Sequence, residues 1–202
     1  MRHCDVENPD GLIYGRLKGF GLSSLGRAQA DRTADFLGSM SLDAVYVSPM
    51  LRARQTARSI ARLHPGVTER VSLLLNEVRT SYQGLLAKDV PPSVNMFDHP
   101  RDPVDETMAD VFRRMSRLVR RVIVLHAGSN VVCVSHAAPI AIVRAGLEGR
   151  PLTIDALRGP EAPEKGSVTR IHFRGADVDT ISYVDVHQSI AVPSSSQTHA
   201  TG

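Results

Sequence analysis

The stretch NVVCVSH, residues 130–136, constrains the fold more than any other part of the chain. It is almost wholly apolar up to Ser135 and His136. A strand of that kind lacks inside–outside alternation because both faces are covered, as in parallel sheets sandwiched by helices. LDAVYVSP (42–49) is a second short β-branched run, ended by Ser-Pro. GVTERVSLLLNEV (66–78) suits an extended segment entering a loop.

Between these runs the period changes to that of helices. LSSLGRAQADRTADFLGSM (22–40) has a serine cap and apolar residues at Leu25, Ala28, Ala34 and Leu37. Residues 50–64 and 106–128 read as helices too, the second long, amphipathic and ending at a glycine. A further helix is expected from about Pro139 to Leu147. Residues 84–105 are rich in Pro and Asp and read as a surface excursion. Residues 167–173 and 179–186 alternate like a late hairpin. The expected fold is therefore α/β, a three-layer α/β/α sandwich with a largely parallel central sheet. One domain is expected over residues 1–192, with a disordered tail over 193–202.

Composition excludes several function classes. The net charge of +3 over 202 residues is too small to argue for nucleic acid. In the basic run 113–121, Arg113, Arg117, Arg120 and Arg121 are expected to form a solvated helix face rather than an RNA surface. With no Trp and few aromatics there is no platform for stacked bases. Cys4 and Cys133 give neither a disulfide framework nor zinc spacing, and the eight histidines are scattered, so no metal site is expected. No signal peptide or spanning apolar stretch is evident, which sets a cytoplasmic location with no membrane partner as the expectation.

In sheets of this type ligands bind beyond the carboxyl ends of the strands. His136 ends one strand; Ser48 ends another, and Arg52 lies in the first turn of the helix that follows. Both groups should face one crevice. Arg2-His3, SPMLRARQTA (48–57), LNE (75–77) and VSHAAPI (134–140) together resemble the histidine phosphatase superfamily, the phosphoglycerate mutase-like fold. The resemblance covers nearly the whole chain and keeps the family's order of motifs.

That resemblance implies His3 as nucleophile, forming a phosphohistidine. It implies Arg2 and Arg52 as forked phosphate ligands, with protonated His136 as a further donor. Such a cluster of cations would replace a metal, so no cofactor is expected. Glu77 would protonate the leaving alcohol and later deprotonate water. Glu69 lies in a similar segment, but the LNE context favours Glu77. Arg16 is a possible substrate contact, with an exposed loop arginine nearly as good a reading; Asn8 and Ser48 are weaker candidates for substrate binding, standing behind the residues that touch phosphate. Arg54 and Arg58 are expected to serve surface charge.

Cys4 and Ala137 stand where the family has glycines, and both are small enough for phosphate to approach the backbone. A cysteine nucleophile would need an arginine six residues on, where Asp10 and Pro139 stand instead. The expected activity is a histidine acid phosphatase-like phosphomonoesterase acting on a small phosphorylated substrate. Only 28 residues separate Glu77 from Glu106, which favours an open site and hydrolysis over mutase chemistry. A phosphoglycerate mutase and a weakly catalytic phospho-ligand binding module are the alternatives. The substrate and oligomeric state are not readable. In the family a central strand precedes the Arg-His pair, and here only Met1 does. The expectation is that Met1 is an internal methionine, and that the strand's absence leaves neighbouring strands unpaired and His3 on a mobile end.

Overall fold

The computed structural model describes residues 1–97, 100–159 and 162–187. The expected tail at 193–202 lies outside the described residues. Three parallel strands, β1 (Ala44–Val47), β2 (Thr68–Val71) and β3 (Val131–Val134), form a sheet in the order β2-β1-β3. Strand periodicity divides the core in two. Val45, Val47, Val132 and Val134 pack on one face against α1 (Ser24–Gly38) and α2 (Leu51–Arg62). Ala44 and Tyr46 pack on the other against α3 (Met108–Leu125) and α4 (Ala137–Leu147). This is the expected three-layer sandwich. β4 (Val168–Arg174) and β5 (Asp177–Val184) form the antiparallel hairpin read from their alternation.

The helix ends follow local chemistry. Ser23 caps α1 by accepting from Gly26 N–H, and Thr107 with Asp110 forms a capping box at the start of α3. α3 stops at Leu125, short of Gly128, which takes a positive φ of 77° in the turn beyond. α4 starts at Ala137, two residues before the expected Pro139. A proline in the first helical turn loses no intrahelical bond, so it does not mark the boundary. The four arginines 113, 117, 120 and 121 are all exposed on α3.

The free edge of β3 meets the chain start. The Met1 α-amino group donates to Cys133 O (2.8 Å), and Ser135 N–H to Met1 O (3.0 Å). His3 N–H then donates to Ser135 O (3.0 Å), and Arg2 N–H to Ser167 O (3.1 Å), just ahead of β4. Four bonds thus fasten the terminus between β3 and β4, and His3 is buried rather than left at a loose end. Below Met1 the two strands make no backbone hydrogen bond to each other among the described residues. A cavity of about 760 Å³ separates them, lined by Met40, Met115, Val122, Val131, Cys133 and Ile171. It explains why Val131 and Cys133 are only half-buried, where burial of β3 on both faces was expected.

The packing of α1 bears directly on the position of His3. A Cβ built on Gly26 would lie 2.0 Å from the backbone oxygen of Asp5, two residues from His3. Backbone cannot yield as a flexible side chain does. Gly26→Ala is therefore expected to cost about 1–3 kcal/mol, lowering Tm by several degrees and activity with it. Thermal melts followed by circular dichroism check this.

Candidate active site

The candidate side chains reach the crevice from strand ends, the first turn of a helix, the chain start and one loop. β3 ends in Ser135-His136, which leads directly into α4. β1 ends at Ser48, and Arg52 stands in the first turn of α2. The chain start delivers Arg2-His3 beside Ser135. Glu77 follows a short 3-10 turn at Leu73–Leu75, held where Ser135 Oγ–H donates to Leu75 O (2.8 Å).

Arg52 joins the group. It is fully buried; its Nε–H donates to His3 Nε2 (3.2 Å), and Nη2–H groups donate to His136 Nδ1 (3.1 Å) and Gly15 O (2.7 Å). The Tyr14 ring lies 4.6 Å from the Arg52 guanidinium carbon. The imidazoles of His3 and His136 meet edge to face at 5.1 Å.

These bonds decide the tautomers. His3 Nδ1 lies 2.7 Å from Cys4 O and must donate to it, leaving Nε2 with a lone pair. Burial first, then the Arg52 charge, pushes the His3 pKa well below its usual value. His3 is thus a neutral imidazole whose Nε2 lone pair accepts from Arg52 Nε–H. His136 accepts from Arg52 at Nδ1, so its Nε2–H donates to Ser48 Oγ (2.8 Å). Burial, then His3 and Arg52, push its pKa well below the usual value as well. His136 is accordingly neutral here, and the protonated donor expected from the sequence needs an anion beside it to raise that pKa.

Glu77 carries the complementary shift. Burial raises its carboxyl pKa, although Val78 N–H donates to Oε1 (2.9 Å) and Arg52 attracts the charged form. Its Oε2 lies 3.6 Å from His136 Nδ1. A carboxylic acid that keeps its proton to higher pH can act as a proton donor. Two guanidinium nitrogens in the same region, Arg2 Nε and Arg52 Nη1, are buried without a hydrogen-bond partner. Arg2 otherwise donates from Nη1 to Pro163 O (2.8 Å). Buried donors of this kind call for an acceptor, and phosphate oxygens match the fork.

Arg2, His3, Arg52, Glu77 and His136 therefore converge. The three weaker candidates serve as braces. Both ends of the Asn8 amide are taken by the Leu12 backbone. Ser48 is fully buried and orients His136, with Asn76 accepting its proton (3.4 Å). Arg16 donates to Glu77 O (2.7 Å) and to Glu106 Oε2 (2.8 Å). Glu69 faces away toward Arg54 at 3.8 Å. Among the described residues no group of three or more His, Cys, Asp or Glu side chains could hold a metal ion. No helix among them is long and apolar enough to cross a membrane.

Four contributors escaped the sequence reading: Thr56, Asn76, Glu106 and Arg114. Thr56 sits one turn after Arg52, accepts from Cys4 N–H (3.2 Å) and donates to Arg52 O (3.0 Å), tying the His3 segment to α2. Its signal was the i+4 spacing. Arg114 was hidden in a basic run and Glu106 at a helix boundary.

The family model described as "Histidine phosphatase superfamily (branch 1)" matches residues 1–185. An uncharacterized protein of Mycobacterium tuberculosis is 35% identical over 193 residues, covering 91% of this chain and 93% of that protein. Phosphoserine phosphatase 1 of Hydrogenobacter thermophilus is 28% identical over 162 residues, 76% of each chain. The structure of a mycobacterial glucosyl-3-phosphoglycerate phosphatase superposes with a TM-score of 0.73 at 26% identity, covering 91% of this chain and 93% of that one.

The buried titratable groups make stability pH-dependent. Because His3 and His136 stay neutral in the fold, the unfolded chain alone takes up protons as pH falls below about 6.5. Stability should then fall with pH, by up to about 1.4 kcal/mol per unit for each histidine. Glu77 opposes this, since its raised pKa makes the fold hold a proton that the unfolded chain has lost above about 4.5. Urea unfolding between pH 7 and 5 is expected to show a net loss, with a shallower slope in His136→Gln.

Proposed function

The chain belongs to the histidine phosphatase superfamily, and from that premise we propose that it hydrolyses phosphomonoesters through a phosphohistidine on His3. The observation that carries this reading is the His3 tautomer. Its Nδ1 proton is committed to Cys4 O, so the lone pair is on Nε2, where it accepts from Nε–H of Arg52, a guanidinium whose Nη1 is still without a partner.

Arg52 Nε–H turns from His3 Nε2 to a phosphate oxygen, and the freed Nε2 lone pair attacks phosphorus while the ester P–O bond breaks. Arg2 and Arg52 bind the equatorial oxygens, where charge is spread in phosphoryl transfer. The phosphate dianion also favours a proton on His136, converting it from acceptor to donor. Glu77 gives its proton to the departing alkoxide. The resulting carboxylate then takes a proton from water, whose oxygen attacks phosphorus. The N–P bond breaks, orthophosphate leaves, and neutral His3 returns. Relatives named as phosphatases of phosphoserine and of glucosyl-3-phosphoglycerate support a small phosphorylated metabolite as substrate. The cations already present supply the charge that a metal would otherwise bring.

The test is covalent trapping. A radiolabelled phosphomonoester such as phosphoserine should leave an acid-labile, base-stable label on the wild type and none on His3→Ala. Turnover by that variant should fall by about four orders of magnitude or more. Near-normal activity of His3→Ala overturns the reading. Activity is expected to survive EDTA; a strict requirement for a divalent ion points to another mechanism. Glu77→Gln should lower kcat/KM by about 10²-fold or more for alkyl phosphates and far less for p-nitrophenyl phosphate, whose leaving group scarcely needs a proton.

A further inference from the structure

Glu106 holds an unusual number of donors for a carboxylate outside the histidine cluster. Its Oε1 accepts from Arg114 Nε (2.8 Å). Its Oε2 accepts from Arg16 Nη2 (2.8 Å), Arg114 Nη2 (3.2 Å) and the backbone N–H of Arg79 (2.9 Å). Both arginines also grip the backbone next to the acid. Arg16 Nε and Arg114 Nη2 donate to Glu77 O (2.7 and 3.3 Å), and Arg114 Nη1 donates to Leu74 O (2.7 Å). Glu106 N–H closes the ring by donating to Arg79 O (3.0 Å). Residues 74–79 are thus bound at Leu74, Glu77 and Arg79 by one cluster. The three side chains are 11–20% exposed, so solvent does not dissolve it.

We propose that Glu106, with Arg16 and Arg114, is the positioning device for Glu77, setting where its carboxyl group stands relative to the leaving oxygen. This rests on the reading of Glu77 as general acid. The histidines need no such device, because strand ends and the buried Arg52 fix them. Glu77 follows a single 3-10 turn, and among the described residues its own side chain has only Val78 N–H as a hydrogen-bond partner. Its place must come from the main chain, and the main chain is held by the arginine forks. A misplacement of about 1 Å from a catalytic position can cost roughly 10²-fold in rate. Arg16 adds a second consequence. It follows Gly15, whose carbonyl accepts from Arg52, so one loop touches both the phosphate ligand and the acid's support.

The experiment compares kcat/KM for an alkyl phosphate and for p-nitrophenyl phosphate in Glu106→Gln, Arg16→Lys and Glu77→Gln. Arg16→Lys keeps the charge but cannot bond Glu77 O and Glu106 together, and it covers the case where Glu106→Gln does not fold. Either variant should lose about 10-fold or more on the alkyl ester, with a several-fold smaller loss on p-nitrophenyl phosphate. Inhibition by orthophosphate should stay near the wild-type value. In a Glu77→Gln background, the second substitution should add little further loss on the alkyl ester. Equal losses on both esters, weakened orthophosphate inhibition, additive losses in the double variant, or no loss at all would each overturn the proposal. If Glu77→Gln alone affects both esters equally, the general-acid reading fails and the positioning role falls with it. If Glu77→Gln discriminates and the clamp variants do not, the acid stands and only the clamp is wrong.

Discussion

A buried guanidinium between two neutral imidazoles is the interaction on which the rest of this structure depends. Arg52 is fully removed from solvent, and burying a cation costs several kcal/mol unless its donors are met. Three of its bonds go to neutral acceptors: His3, His136 and Gly15 O. Its Nη1 has no partner. The nearby carboxyl of Glu77 is itself pushed toward the protonated form by burial. The cluster is therefore short of negative charge. In the proposed mechanism a phosphate dianion supplies what is missing, and burial, with the Arg52 charge second, keeps His3 deprotonated beforehand.

That arrangement needs three chain segments held to a fraction of an ångström. The parallel sheet provides it by ending β1 and β3 side by side, so Ser48 and His136 stand on neighbouring strand ends. The Met1–His3 segment forms the next rung, bonded to β3 on one side and to Ser167 on the other. Thr56 ties that segment to α2, and Gly26 lets α1 lie directly on Asp5. Packing and site are coupled here: the contacts that fasten the terminus are the contacts that aim His3.

How much of this was legible in the sequence follows from the range of each signal. Strands and helices showed because periodicity is local, and Arg2, His3, Arg52, Glu77 and His136 stood in recognisable local contexts. Side-chain partnerships across the chain did not show. Arg16, Glu106 and Arg114 are separated by up to 98 residues, and each alone looks like ordinary surface charge. Asn8 and Ser48 were read as weaker candidates behind the phosphate ligands, but their partners, Leu12 and His136, could not be named from type and place alone. The neutral state of His136 in the absence of an anion could not be read, because sequence carries no measure of burial, and burial is the largest influence on its pKa.

The two halves of the site differ in what they can tolerate. The phosphate half rests on strand ends, a buried arginine and interlocking tautomers, so a change at any member removes a partner from the others. The acid half rests on loop backbone. Leu12 pairs with Leu86, and Gly84 N–H donates to Ile13 O (2.9 Å), so the loop bearing Arg16 and the segment after Glu77 brace each other. Tyr14 and Gly15 of that loop also touch Arg52, so it meets the histidine cluster at this one side chain. In the proposed mechanism the first half carries the phosphate chemistry and the second protonates the alcohol, with the proposed charged clamp at the junction. A fold built this way can change its ester while keeping its nucleophile, because the two tasks are carried by different kinds of structure.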